Sequence, residues 1–254
     1  MFRRFLIAAI VLSCCPMHGW GQSRPEAASG KKRTVEPATA DSEPCKIGVI
    51  PIAGNLFLVD KFGPLRLTDT YERTAVEGWA LDDLVVSRVR AAQPGASVRR
   101  IPFTKEELAN YQPARSLFPD KDAEIKVFAQ HIARRISCER YVVAHRYGRA
   151  GHKEFGIGIS NYLLDRHVYL FVIMYIRVYD GRTFELIKQG PATIEGDSFS
   201  ERLGNAVGGP YRALDPATFP EKPADVAANP VLRDGVRSLL TISLDKTLPA
   251  LLAR

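Results

Sequence analysis

Four side chains able to ligate a metal, His145, His152, Glu154 and His167, fall within a 23-residue stretch. Zinc sites are normally built on a short pair, such as two histidines one helical turn apart or a Cys-x2-Cys knuckle, and no such pair occurs here. The set therefore reads as a strand end, a solvated loop and a hairpin border. No metal and no cofactor is called for. His131 stands between apolar positions of an expected helix and reads as a surface or boundary histidine. Arg146, Arg149 and Lys153, beside Tyr147, are the candidate contact for an anionic group such as phosphate, with a solvated charged loop as the alternative. Gly156 to Asn161, GIGISN, has two glycines in the spacing of a nucleotide-binding loop but lacks the third, so a turn or bulge is the expectation. No Gly-x-Ser-x-Gly, Ser-x-x-Lys or Cys with a loop-borne His stands in a context that activates a nucleophile, and no catalytic residue is assigned. The carboxylate pair Asp82–Asp83 suits a helix N-terminus, and Glu195 with Asp197 falls in an expected loop.

The elements that would position these residues are legible from their periods. Lys46 to Ile52, KIGVIPI, is a continuous apolar run and reads as a strand buried on both faces. Leu81, Leu84, Val85, Val89 and Ala92 recur at helical spacing, with the two aspartates early and Pro94-Gly95 beyond the end. Ser97 to Phe103 supplies a second short strand, Thr104 to Pro119 is polar and turn-rich, and Ile125 to Ile136 carries the apolar stripe of a second helix. Arg140 to Ala144 repeats the character of the first strand and leads into a basic, glycine-containing loop through Gly158. Val168 to Tyr179 is the longest β-rich run, and Asp180-Gly181 before Thr183 to Gln189 is a hairpin signature in which both central residues take positive φ. A loose Gly- and Pro-rich stretch then runs to Asn229-Pro230, the N-cap and first-turn proline of a last helix that Pro249 would bend or end. Right-handed crossovers make the first three strands parallel. The expected class is α/β: one two- or three-layer domain with a mixed sheet, three parallel strands plus a β-hairpin, and a C-terminal helix.

The 254 residues are 46% hydrophobic and 25% charged, which excludes a chain disordered throughout and a multi-helix membrane protein. Arg3 and Arg4, the apolar stretch Phe5 to Cys15, Pro16 and the small residues Gly19 and Gly21 follow the order of a secretory signal peptide. Eleven residues at about 1.5 Å each cover about half of a hydrocarbon core roughly 30 Å thick, too little for an anchor helix. Leu12-Ser13-Cys14-Cys15 also approximates a lipobox, which would place a lipid on Cys15, or on Cys14 in the other frame, with neither frame matching the usual pattern. Residues 22–44, poor in large apolar side chains, read as a disordered linker, which leaves 45–254 as one exported domain. Removing Met1 to Gly21 takes two arginines from 35 basic residues and leaves +5 against 28 acidic ones. Those charges form no basic stripe with interleaved aromatics, so nucleic acid is not an expected partner. A membrane is expected only if Cys15 is lipidated. Cys45 and Cys138 each stand just ahead of an apolar strand, and parallel strands start at the same edge of a sheet. If the first and third strands are neighbours, the two sulfurs meet. Two free buried thiols or an intermolecular link are the alternatives.

The pattern of Lys46 to Ile52 and the order strand, helix, strand, helix, strand, hairpin resemble the small envelope domains grouped around the N-terminal domain of TolB. The curli-secretion lipoprotein CsgG and the penicillin-binding-protein activator LpoB have similar cores. The resemblance covers Cys45 to about Gln189, and the chain after Gly190 has no counterpart in it. It implies a non-enzymatic accessory or binding domain of the bacterial envelope, working through a partner protein or through copies of itself, and no functional residue carries over. The rival expectation is a periplasmic enzyme or small-ligand binder using the loop 146–153 and the strand ends near Ala53 to Asn55, where open α/β sheets place ligands.

Overall fold

The computed structural model describes residues 44–61, 70–110, 121–146, 156–161, 168–194 and 209–253. The expected signal peptide, most of the linker and Cys15 lie outside the described residues. In chain order the elements are β1 (Cys45–Ile52), β2 (Leu56–Lys61), β3 (Thr70–Ala75), α1 (Leu81–Ala92), β4 (Val98–Arg100), α2 (Lys105–Asn110), α3 (Lys121–Ala133), β5 (Cys138–Arg146), β6 (Ile157–Asn161), β7 (Val168–Val172), β8 (Met174–Asp180), β9 (Leu186–Pro191) and β10 (Tyr211–Leu214). The last helix, α4, spans Pro230–Leu252.

The described strands form two five-stranded sheets. The first, ordered β4-β1-β5-β8-β9, is the expected mixed sheet: β4, β1 and β5 run parallel, and the β8–β9 hairpin adds antiparallel strands. β1 is apolar without alternation because both its faces are covered. Ile47 and Val49 enter a core with α1 and α4, and Ile50 enters a second core with α3. α3 contributes Phe128, Ala129, Ile132 and Ala133 to that second core, over Tyr141, Val143 and Tyr179. The first sheet is thus the middle of three layers. The second sheet, ordered β10-β7-β6-β2-β3, is a finding of the structure: β2 and β6 run parallel and the other pairs antiparallel. Its residues Phe57, Val59, Ile159 and Leu170 extend the core under α1 and α4, so one apolar layer serves both sheets.

Several local expectations change. The run Val168 to Tyr179 is two strands in different sheets, β7 pairing with β6 and β10, and β8 with β5 and β9. The switch falls at Ile173, whose N–H donates to the Gly156 carbonyl at 2.6 Å. Gly156 to Asn161 holds strand β6, whose ladders to β2 and β7 outweigh its glycines. Leu56 to Ala75 had no assigned element and supplies β2 and β3, and the loose stretch before Asn229 contains β10. The polar segment after Thr104 includes the short α2. In the β8–β9 turn the positive φ belongs to Phe184 at 57°, and Gly181 is not among the positive-φ residues. Gly181 instead lies against the start of β5, donating to the Glu139 carbonyl at 2.9 Å. A Cβ there would collide with the Cys138 carbonyl. Asn229 caps α4 as expected, accepting from the Val231 and Leu232 amides at 3.0 and 3.2 Å. Pro249 does not end that helix, which runs on to Leu252. In the last turn a proline forfeits a single intrahelical hydrogen bond.

Candidate functional site

The C-terminal ends of β1 and β5 form the seam where the chain passes from one sheet to the other. Ala53 to Asn55 link β1 to β2 there, and Ile173 links β7 to β8. Arg146, the last residue of β5, lies across this seam. Its Nε donates to the Ala53 carbonyl at 2.6 Å. Its side chain passes over Gly54 (φ 74°) and Gly156 (φ 59°), and a Cβ at either glycine would strike it. Both backbones are left-handed, where side-chain-bearing residues are strained, so glycine serves the turn and the guanidinium together. From the other side Asp82, in the first turn of α1, accepts from the Gly54 N–H at 3.2 Å. Asp82 also stands 3.6 Å from Arg100 of β4, which pairs in addition with Asp83. Burial pushes the Asp82 carboxyl above its ordinary value, against the pull of the Gly54 N–H and Arg100. The corner at Ala53–Gly54 is therefore held by its carbonyl and its amide at once.

His145, one residue before the end of β5, is buried. Its Nδ1 stands 2.9 Å from the Arg146 carbonyl, an acceptor, so Nδ1 carries the proton. Its ring lies 5.9 Å from that of Tyr175, and the Arg177 guanidinium sits 5.4 Å from the same Tyr175 ring. A buried imidazole and guanidinium and the half-buried Tyr175 phenol line one face of the sheet end, on the strands whose neighbouring residues pack against α3.

Of the anion contact expected from sequence, the structure places Arg146 and its Ala53 bond, while Arg149 and Lys153 lie outside the described residues. His152, Glu154 and His167 of the suspected metal set also lie outside them, as do Glu195 and Asp197. Among the described residues no group of three His, Cys, Asp or Glu side chains could hold a metal ion. His131 is exposed on α3. The reach of Asp82 to the β1–β2 corner was missed. Its signal was a glycine two positions past an apolar run, followed by an acidic first turn in the next helix.

At the opposite end of the same strands, Cys45 and Cys138 face each other in register and form a disulfide, with a Cα–Cα distance of 4.6 Å. β1 and β5 are neighbours, which is the condition the pairing required. Both half-cystines are buried.

No protein-family model matches the chain, and no curated protein does. Among solved structures the chain is similar to the PelC dodecamer from Paraburkholderia phytofirmans, at 13% identity over 83% of this chain and 89% of that one, with a TM-score of 0.34. It is similar to the hypothetical protein CT253 from Chlamydia trachomatis at 12% identity, over 82% of this chain and 95% of that one, with a TM-score of 0.34. The LpoB C-terminal domain from Salmonella enterica follows at 12% identity, over 60% of this chain and 84% of that one, with a TM-score of 0.25. LpoB is one of the domains the sequence pattern resembles, whereas the resemblance to TolB and CsgG rests on that pattern alone. Likeness at these scores carries nothing of those proteins' behaviour over to this chain.

Proposed function

We propose that the chain is an exported protein of the bacterial envelope, with a signal peptide at 1–21, a linker at 22–44 and a folded domain at 45–254. That domain binds a partner protein or a second copy of itself and performs no chemistry of its own. One observation carries the export: Cys45 and Cys138 are joined across neighbouring strands, and structural disulfides persist where the compartment is oxidising. The binding role is supported by how the charged groups at the seam are spent. Arg146 and Asp82 are committed to the backbone of the Ala53–Gly54 corner, which suits a scaffold better than a reacting centre. No helix of the described residues is long and apolar enough to cross a membrane.

The test is expression of the full chain in a Gram-negative host, fractionation, thiol labelling of the recovered protein and capture of partners from envelope extracts. The expected result is an envelope location, blocked Cys45 and Cys138, and a specific partner or a self-complex. Two free thiols in the recovered protein would sink the export reading. Saturable binding of a small anion with no captured protein would replace the binding-module reading by a ligand-binding one.

A further inference from the structure

We propose that the edge of the first sheet at which β1 and β5 begin docks onto an anionic lipid bilayer. The proposal deepens the envelope reading by naming a surface the domain would meet.

The β8–β9 hairpin turn lies at this edge, since Arg140 near the start of β5 is in register with Asp180 at the end of β8. Just past the turn, two consecutive large aliphatic side chains, Leu186 and Ile187, are 45% and 42% exposed. A register shift in the β8–β9 ladder opposite them accounts for the pair, because a bulge frees consecutive side chains from strict alternation between the faces.

Charge at the same edge is cationic on balance, with Glu185 beside Leu186 and Glu139 in β5 as its exposed carboxylates. Arg182 is in the turn, Arg134 is in the connection leading into β5, and Arg90 is in the last turn of α1. All three are exposed, and Arg182 shares its turn with the Asp180 carboxylate, whose charged form it favours. The negative groups nearby are largely occupied. Glu139 pairs with Lys46. The Asp180 carboxylate is turned inward, accepting the Arg182 and Thr183 amides at 2.8 Å each. The negative end of α4 is covered as well: Lys188 donates to the Ala253 carbonyl at 2.8 Å, and Arg140 stands 3.5 Å from the Leu252 carbonyl. Aliphatic side chains and exposed arginines at one sheet edge match an interfacial contact, in which shallow burial and attraction to anionic headgroups add.

The chain enters the sheet at this edge. Pro44 is exposed one residue before β1, so a segment anchored through the N-terminus would hold this edge near the bilayer and raise its effective concentration there. A second protein chain fits less well. The bulge, Lys188 and Pro191 blunt β9 against strand addition, and two side chains fall far short of the roughly 800 Å² per partner of a specific interface.

The experiment is co-sedimentation of the full, oxidised chain with phosphatidylcholine vesicles and with vesicles containing phosphatidylglycerol, at low and high salt. Any contribution of the apolar N-terminal segment is common to every variant, so comparison among variants isolates the edge, and none of it depends on export. Expected are tighter binding to the anionic vesicles that weakens with salt, and a loss of about tenfold or more for Arg182→Glu. Leu186→Ser with Ile187→Ser should also weaken binding, whereas Val127→Ser, an exposed aliphatic on α3, should not. Thermal melting checks that the variants keep their fold. Binding that ignores these substitutions, or is equal on both vesicle types, overturns the proposal. A concentration-dependent dimer abolished by the Leu186 and Ile187 changes overturns it in favour of a second copy.

Discussion

Arg146 replaces backbone pairing at a place where the sheets separate and no ladder continues. Its Nε satisfies the Ala53 carbonyl, and its stem fills the space that two left-handed glycines leave empty. Gly156→Ala should therefore act twice, once through φ, at about 1 kcal/mol, and once through collision with the arginine, at about 1–3 kcal/mol. In an Arg146→Ala background the collision disappears, so the double variant should be more stable than the sum of the single losses, by at least about 1 kcal/mol in a urea-denaturation cycle. Additive losses would mean that the arginine does not press on this corner. Asp82 makes an opposite kind of prediction. Its pKa is raised in the folded protein, chiefly by burial, so the folded state holds the proton more tightly than the unfolded chain. The stability it contributes is complete below the unfolded value near 3.8 and is lost as pH rises through the folded value. Asp82→Asn can still accept from Gly54 and no longer buries a charge. Its stability at neutral pH should equal or exceed the parent's, and the decline from acid to neutral pH that Asp82 imposes should be absent. A loss above about 2 kcal/mol at pH 7 would instead identify the Arg100 contact as the stronger term.

At the scale of elements, what the sequence revealed depended on how locally each element is determined. β1, β5, α1 and α3 carry their own evidence, because burial on two faces yields an unbroken apolar run and burial on one helical face yields a stripe. α4 carries even its start, in Asn229-Pro230. The second sheet does not. β2 carries Asp60 and Lys61, β3 is the polar TYERTA, β6 contains Gly158, and β10 is four residues long. β2 and β6 meet from far apart along the chain, as do β7 and β10, while β3 depends on β2 alone. The run Val168 to Tyr179 shows the same limit, since periodicity cannot reveal that a chain changes sheets at Ile173 when both halves stay buried. The seam inherits this blindness: Arg146 stood out as a basic residue at a strand end, but its partners at Ala53, Gly54 and Gly156 come from two other strand boundaries. The helix cap is the cleanest element-level test. Asn229→Ala removes the acceptor for two amides at the start of α4 and should cost about 1 kcal/mol. Asn229→Asp should retain most of the stability, and an equal loss in both variants would show that the side-chain acceptor is not what matters.

For the molecule as a whole, the disulfide and the shared core solve the same problem from two directions. The core under α1 and α4 joins the two sheets through apolar contact. The Cys45–Cys138 bond ties the first strand of the domain to a strand 93 residues later. Between those strands the chain makes β2 and β3 in the other sheet, α1, β4 and two further helices. The neighbouring β1–β5 ladder is therefore a contact of high sequence separation, expensive in loop-closure entropy before it forms. A covalent link at its first rung removes much of that cost from the unfolded side. For a loop of this length the chain-entropy estimate is above about 4 kcal/mol, and measured losses from native bonds run from about 2 to 5 kcal/mol. Replacing both cysteines by alanine, which avoids leaving a reactive thiol, should lower the unfolding free energy by about 2–4 kcal/mol. At about 2–4 °C per kcal/mol for a domain of this size, the melting midpoint should fall by roughly 5–15 °C. Calorimetry on the oxidised parent, the reduced parent and the double-alanine chain separates the contributions. Reduced and alanine forms that melt together, well below the oxidised chain, assign the effect to the cross-link. An alanine chain that melts with the oxidised parent would mean that the β1–β5 ladder and the shared core suffice, and the need for an oxidising compartment would lose its physical basis.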